Sequence, residues 1–190
     1  MDIFLAFVLL FQITITLTLI FILSSYAVST IYGAPYIPVK KRLVKNFLAF
    51  GELSESDIFY DLGSGDGRTI FAAIEKFGVK KAVGYEIAPW PYLKSRFALY
   101  RFKLNGNIKI YRGNFLKNNL SPATFIYLYL YPKILNKAAA KLAAEIQVGA
   151  KILSITFPVD TKQNPQFKLL KNGKIGGFNV YLYSLDKLRT

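Results

Sequence analysis

Apolar and polar positions divide the chain into an unbroken apolar run followed by alternating short segments. From Ile3 to Leu23 there is no charge, and only Gln12 and scattered Thr are polar. Twenty-one residues at ~1.5 Å each cover roughly 30 Å, the thickness of a bilayer core. Thr14, Thr16 and Thr18 are tolerable there, because a helical Thr bonds its hydroxyl to the preceding turn. Ser24 to Tyr36 stays uncharged, with Tyr26, Tyr32 and Tyr36 suited to an interfacial belt. Gly33-Ala34-Pro35-Tyr36-Ile37-Pro38 then reads as a short stiff linker whose prolines oppose helix continuation.

Beyond the linker the periods change. Val39, Leu43, Val44, Phe47 and Leu48 follow helical spacing, with Gly51 as the stop. The pattern predicts strands at Ile58 to Leu62, Ala82 to Glu86, Ile108 to Tyr111, Thr124 to Tyr131 and Lys151 to Phe157. Helices are predicted from Gly67 to Phe77, from Pro89 to near Asn105-Gly106, and from Pro132 to about Gln147. Gln166 to Leu170 and Phe178 to Ser184 flank Lys171-Asn172-Gly173-Lys174, a turn signal that predicts a hairpin. The expected fold is α/β: a doubly wound, mainly parallel sheet with a C-terminal antiparallel hairpin, preceded by one transmembrane helix. The expected organisation is residues 1–32 as anchor and interfacial segment, 33–38 as linker and 39–190 as one domain.

Charge sharpens the division. All 25 Lys and Arg lie at or after Lys40, against ten acids there, about fifteen net positive charges. Such a field attracts nucleic acid, anionic lipid or acidic protein, and equally serves solubility. No Arg-rich motif or RNA-binding aromatic signature accompanies it, which argues against nucleic acid. A cleaved signal peptide competes with the anchor, since Ser25-Tyr26-Ala27 is a small-x-small site. The segment however lacks a basic n-region, carries Asp2, and is longer than such a run usually is. With Lys40, Lys41, Arg42 and Lys45 directly after the span, the positive-inside rule puts the N-terminus outside and the domain on the cytoplasmic side. Zero Cys and zero His leave no thiolate or imidazole for a metal or a nucleophile, and no metal is expected. Chemistry that needs mainly the alignment of two reactants fits that constraint.

The candidate site is the run Asp61-Leu62-Gly63-Ser64-Gly65-Asp66-Gly67-Arg68, a strand end, a glycine loop and a helix start. Glycines at alternate positions let the main chain approach a ligand, and N–H groups at a helix start suit an anion. The dinucleotide fingerprint would need its third glycine where Arg68 stands. The spacing instead resembles the loop of class I S-adenosylmethionine-dependent methyltransferases. That resemblance implies cofactor contacts from Asp61, Gly63, Ser64, Gly65, Asp66 and Gly67. In such sheets ligands lie at the carboxyl ends of the strands. Asp61 could hold the methionine ammonium, or act only as a turn-stabilising cap. Glu86, 25 residues on, could accept from both ribose hydroxyls, or be a surface acid. Asn114 follows the third strand and could bond the adenine amino group. The fourth strand ends Tyr127-Leu128-Tyr129-Leu130-Tyr131-Pro132, where alternation places three tyrosines on one face. In this fold class that end faces the methyl group, which nominates Tyr129, Tyr131 and Pro132 as catalytic candidates. The tyrosines could orient a nucleophile or pack on a lysine chain; equally, they could fill the sheet–helix interface.

A narrower likeness follows. Pro35-Tyr36-Ile37-Pro38, the glycine loop, Gly84-Tyr85-Glu86-Ile87-Ala88-Pro89-Trp90, Ser95-Arg96 and Phe157-Pro158 form an ordered series. It resembles the lysine N-methyltransferases of the ATP synthase c-subunit and the adenine nucleotide translocase, and their prokaryotic relatives. The resemblance implies a seven-strand methyltransferase sheet, S-adenosylmethionine as cofactor and a protein lysine as methyl acceptor. It departs at Asn114, where that family tends to have Asp, and in the tyrosine-rich fourth strand. Two alternatives stand beside it: methylation of a lipid or other small amphiphile at the membrane, and a basic membrane-bound adaptor with a vestigial pocket.

Overall fold

The computed structural model describes residues 3–32, 36–101 and 108–186. The predicted linker residues Gly33, Ala34 and Pro35, and the helix end at Asn105-Gly106, lie outside them.

Helix α1 (Ile3–Ile31) has 29 residues and is long and apolar enough to cross a membrane. The Thr14, Thr16 and Thr18 hydroxyls donate to the carbonyls four residues earlier at 2.8, 2.9 and 2.7 Å. The helix does not stop near Leu23. Its last two turns continue to Ile31 and dock on helix α4 (Pro89–Arg101), burying Ser25 and Ser29. The Trp90 N–H donates to Ser25 Oγ at 2.9 Å, and the Phe21 and Trp90 rings meet edge to face.

Helix α2 (Lys41–Phe50) leads to strand β1 (Ile58–Leu62), then helix α3 (Arg68–Phe77) and strand β2 (Lys81–Glu86). After α4 come β3 (Ile108–Arg112), a short 3-10 turn (Phe115–Lys117), β4 (Phe125–Leu128) and helix α5 (Pro132–Glu145). Strands β5 (Lys151–Ile155), β6 (Phe167–Ile175) and β7 (Phe178–Leu185) complete a seven-stranded sheet of order β3-β2-β1-β4-β5-β7-β6. The first five strands in that order are parallel, and β7 runs antiparallel to both β5 and β6.

Strand alternation divides the core between two faces. Phe59, Phe125 and Leu153 pack with Phe47, Leu48, Ile70 and Ala73 of α2 and α3. Tyr60, Leu62, Ile126 and Leu128 pack with Leu135, Ala138 and Leu142 of α5. The doubly wound, mainly parallel sheet is therefore present, with helices on both faces.

Two predicted elements differ. The hairpin does not turn at Lys171–Lys174; Asn172 and Gly173 sit within β6, opposite Tyr181 and Val180. The turn is Gly176-Gly177, between the paired Ile175 and Phe178, with φ of 57° and 89°. A two-residue hairpin needs positive φ at both central positions, which two glycines supply at no steric cost. The fourth strand is also shorter than Thr124 to Tyr131. Its ladder ends where Tyr127 faces Asp61 and Leu128 faces Ser154, one residue before β1 and β5 themselves end.

Candidate active site

The glycine loop is held by main-chain bonds. Gly63 and Ser64 N–H both donate to the Tyr85 carbonyl at 2.9 Å, and Gly67 N–H donates to Ser64 O at 2.8 Å. Glu86 locks this bend to the end of β2. One carboxylate oxygen accepts from Gly65 N–H at 2.8 Å, the other from Ala88 N–H at 2.7 Å. Ser64 packs in the space left by the missing side chain of Gly84, whose Cβ would sit 2.7 Å from Ser64 Oγ. That hydroxyl is buried with no hydrogen-bond partner.

Asp61 is buried at the end of β1, bonded to the Thr69 hydroxyl at the start of α3. Burial, then the neighbouring Glu86 charge, push its carboxyl up to about 8. Glu86 is raised too, by burial, although its backbone bonds pull the other way. Neither acid has an ion-pair partner among the described residues. Asp66 is the opposite case. Burial would raise it, but the Arg68 guanidinium, donating at 2.6 and 2.8 Å, takes it below the ordinary range. Arg68 also donates to the Val39 carbonyl and, at 3.4 Å, to the Tyr36 hydroxyl. Tyr36, predicted as a membrane-belt residue, instead lies over the loop. A Cβ on Gly65, whose φ is 55°, would come within 2.7 Å of its ring. Burial, then Asp66, push the Tyr36 hydroxyl up to about 12.

These groups line a cavity of about 430 Å³ at the carboxyl ends of β1, β2 and β4. Asp61, Gly63, Ser64, Gly65, Asp66, Glu86, Asn114 and Tyr129 reach it. Gly67 does not; it caps α3 from the left-handed region. Tyr131 and Pro132 do not either. Past the end of the ladder the alternation lapses, so Tyr131 packs against Phe157 at 5.9 Å and Pro132 opens α5. Asn114 Oδ1 accepts from Leu116 N–H at 2.9 Å, capping the 3-10 turn at the cavity wall. Sequence reasoning missed Arg68, Lys133, Lys137 and the end of α1 (Ser29 to Tyr32), all of which line the cavity. The i, i+4 spacing of the two lysines was visible, but nothing separated them from the other basic residues.

The cavity fits a cationic, hydroxyl-bearing ligand. It offers two carboxyl groups without a cation among the described residues, a loop a single Cβ would obstruct, and aromatic walls. S-adenosylmethionine has those features: an ammonium, a sulfonium, a ribose diol and a flat base. Sheet order, loop and strand-end acids together define a class I S-adenosylmethionine-dependent methyltransferase.

Comparison with known proteins narrows the class. Residues 61–166 match the family model described as the ANTKMT methyltransferase domain. A protein-lysine N-methyltransferase of Saccharolobus islandicus (strain REY15A) is 31% identical over 153 residues, covering 80% of this chain and 94% of that protein. The adenine nucleotide translocase lysine N-methyltransferase of Mus musculus is 33% identical over 129 residues, 68% of this chain; the chain spans 56% of that relative's length. Among solved structures, an RNA methyltransferase from Salinibacter ruber in complex with S-adenosyl-L-homocysteine superposes with a TM-score of 0.73. The two are 26% identical, and the match covers 81% of this chain and 97% of that one. The chain belongs to the ANTKMT methyltransferase family: it is an enzyme and its cofactor is S-adenosylmethionine.

Proposed function

We propose that this protein is a membrane-anchored protein-lysine N-methyltransferase, with residues 1–32 as its anchor, 33–38 as linker and 39–190 as the catalytic domain. The observation that carries the site is Glu86, whose carboxylate ties the glycine loop to β2 at the wall of the cavity. Glu86 would take the ribose diol, Asp61 the ammonium, and Gly63, Ser64 and Gly65 would lie along the methionine portion. Asn114 would flank the base. When bound, S-adenosylmethionine supplies an electrophilic methyl group on a positively charged sulfur.

The chain's own residues position the acceptor and keep water away from it. Tyr129 reaches the cavity from the end of β4, and Leu130 and Ile134 contribute apolar wall beside it. A lysine amine entering such a mouth is partly desolvated, which favours the neutral, nucleophilic form. Nearby Lys133 and Lys137 add like charge and act in the same direction. Without imidazole or thiol in the chain, alignment and desolvation are the means available. The names of the relatives support lysine as the acceptor, and the basic residues just after α1 support a cytoplasmic-side domain.

Labelled methyl transfer into membranes from cells lacking the protein tests this reading. Label is expected in protein, as methyllysine on mass spectrometry. Label extracted wholly by organic solvent would replace lysine with a small amphiphilic acceptor.

A further inference from the structure

A second concavity, of about 860 Å³, opens between α2, α3 and α4 on the outer side of the domain. Its floor is apolar: Phe71 and Ala72 from α3, Trp90, Leu93 and Phe97 from α4. On α4, Trp90, Leu93, Phe97 and Tyr100 recur at three- and four-residue spacing, and all four are exposed, from 39% to 80%. The opposite side of that helix supplies Pro91, Ser95 and Leu99 to the interior. The helix is therefore apolar on both sides, and beyond Trp90, which meets Phe21, the stripe stays exposed among the described residues. The rim is basic, with Lys41, Arg42, Lys45, Lys76 and Lys94 set against Glu75. None of the five makes an ion pair among the described residues, whereas Asp66 and Arg68 at the edge pair with each other.

Trp90 lies level with Phe21 and Ser25 of α1, at the end of the apolar run that closes at Leu23. If α1 spans the bilayer, the stripe begins at its boundary, the depth that Trp favours. From this placement and the surrounding charge we infer that the groove is a second membrane contact. It seats an anionic leaflet, with acyl chains against Trp90, Leu93 and Phe97 and headgroup phosphates on the basic rim. A basic rim around an apolar stripe is the chemistry of interfacial helices that prefer anionic lipid. The inference rests on the anchoring reading of α1, and it sets the domain's attitude to the membrane, which one helix alone leaves free to swivel.

Trp90 is the only tryptophan, so the chain carries its own probe. In the full chain, Trp90→Phe with Phe97→Trp moves that probe two turns along α4, off the position that bonds Ser25 of α1. The variant is reconstituted in phosphatidylcholine vesicles with and without phosphatidylglycerol, using lipids brominated on the acyl chain. Fluorescence at position 97 is expected to fall by about half in the anionic vesicles and much less in the zwitterionic ones. Adding Lys41→Glu, Lys45→Glu and Lys94→Glu is expected to remove that difference. Equal quenching in both lipids, or none in either, overturns the inference; the second result would leave the groove to a protein partner. Carbonate extraction of the same vesicles reads α1 alone, and S-adenosylhomocysteine binding confirms that the variants fold. Loss of the groove contact is thereby told apart from loss of anchoring and from failure of the cofactor site.

Discussion

The two sides of the cavity are built differently. On the β1–β2 side, glycines and the strand-end Glu86 are fixed by short main-chain bonds and Asp61 by the Thr69 hydroxyl, with Tyr36 and Arg68 as a brace. On the β4–α5 side, the groups facing the cavity are long side chains, Tyr129, Lys133 and Lys137. The first side can change little without losing shape, because main-chain geometry is its recognition element. The second can be altered one side chain at a time. A cofactor shared by many enzymes belongs on the first, and an acceptor peculiar to one belongs on the second.

That contrast breaks most sharply at Glu86. Replacing it with Ala strips the acceptor from two buried N–H groups, which costs about 3 kcal/mol, or roughly a hundredfold in S-adenosylhomocysteine affinity. Titration calorimetry would read this, and a loss under about threefold would show that the loop holds its shape alone. Gly65→Ala comes next. Its Cβ would press on the Tyr36 ring from a left-handed backbone, so binding should weaken about tenfold. Adding Tyr36→Ala should recover part of that loss, and no recovery would place the damage in the backbone alone.

Asp61 sharpens the contrast through pH. In the ligand-free protein its carboxyl holds a proton to about 8. A bound ammonium needs the ionised form, so affinity should tighten about fiftyfold between pH 6 and pH 8, with proton release in calorimetry. Asp61→Asn should bind weakly and without that slope. The same shift costs stability. A carboxyl with a higher pKa folded than unfolded makes the native state the better proton acceptor. The free protein should therefore lose stability as pH rises from about 4 to about 8 and level off above. Asp61→Asn should raise its Tm at pH 8; an unchanged Tm would contradict the burial argument. On the other side of the cavity the effects shrink. Tyr129→Phe should slow methyl transfer several-fold while leaving S-adenosylhomocysteine binding alone. Tyr131→Phe should change either by less than about twofold, its ring lying against Phe157.

How much of this was legible follows from range. The strand, loop and helix around Asp61 and Gly65 are local, and so is the step to Glu86 along one strand–helix–strand unit; composition and spacing suffice for both. Tyr129 reaches the cavity as alternation predicts, whereas Tyr131 departs by a different route. Alternation predicts facing only while a ladder persists, and where β4 parts from its neighbours β1 and β5 is not revealed by any pattern within β4. The hairpin was misplaced because Asn172-Gly173 and Gly176-Gly177 both suit a tight turn. The choice fell to the register that keeps Val180 and Leu182 in the core against β5. Tyr36 looked like a belt residue because it follows an apolar run. Its place over Gly65 depends on a bond to Arg68, 32 positions away.

The last turn of α1 also shapes the cavity. Ser29 to Tyr32 form one side of the cofactor chamber, so its tightness depends on a helix whose other end lies far from the sheet. Removing α1 would open a side door, and the shortened chain should leak its donor faster than the intact molecule does.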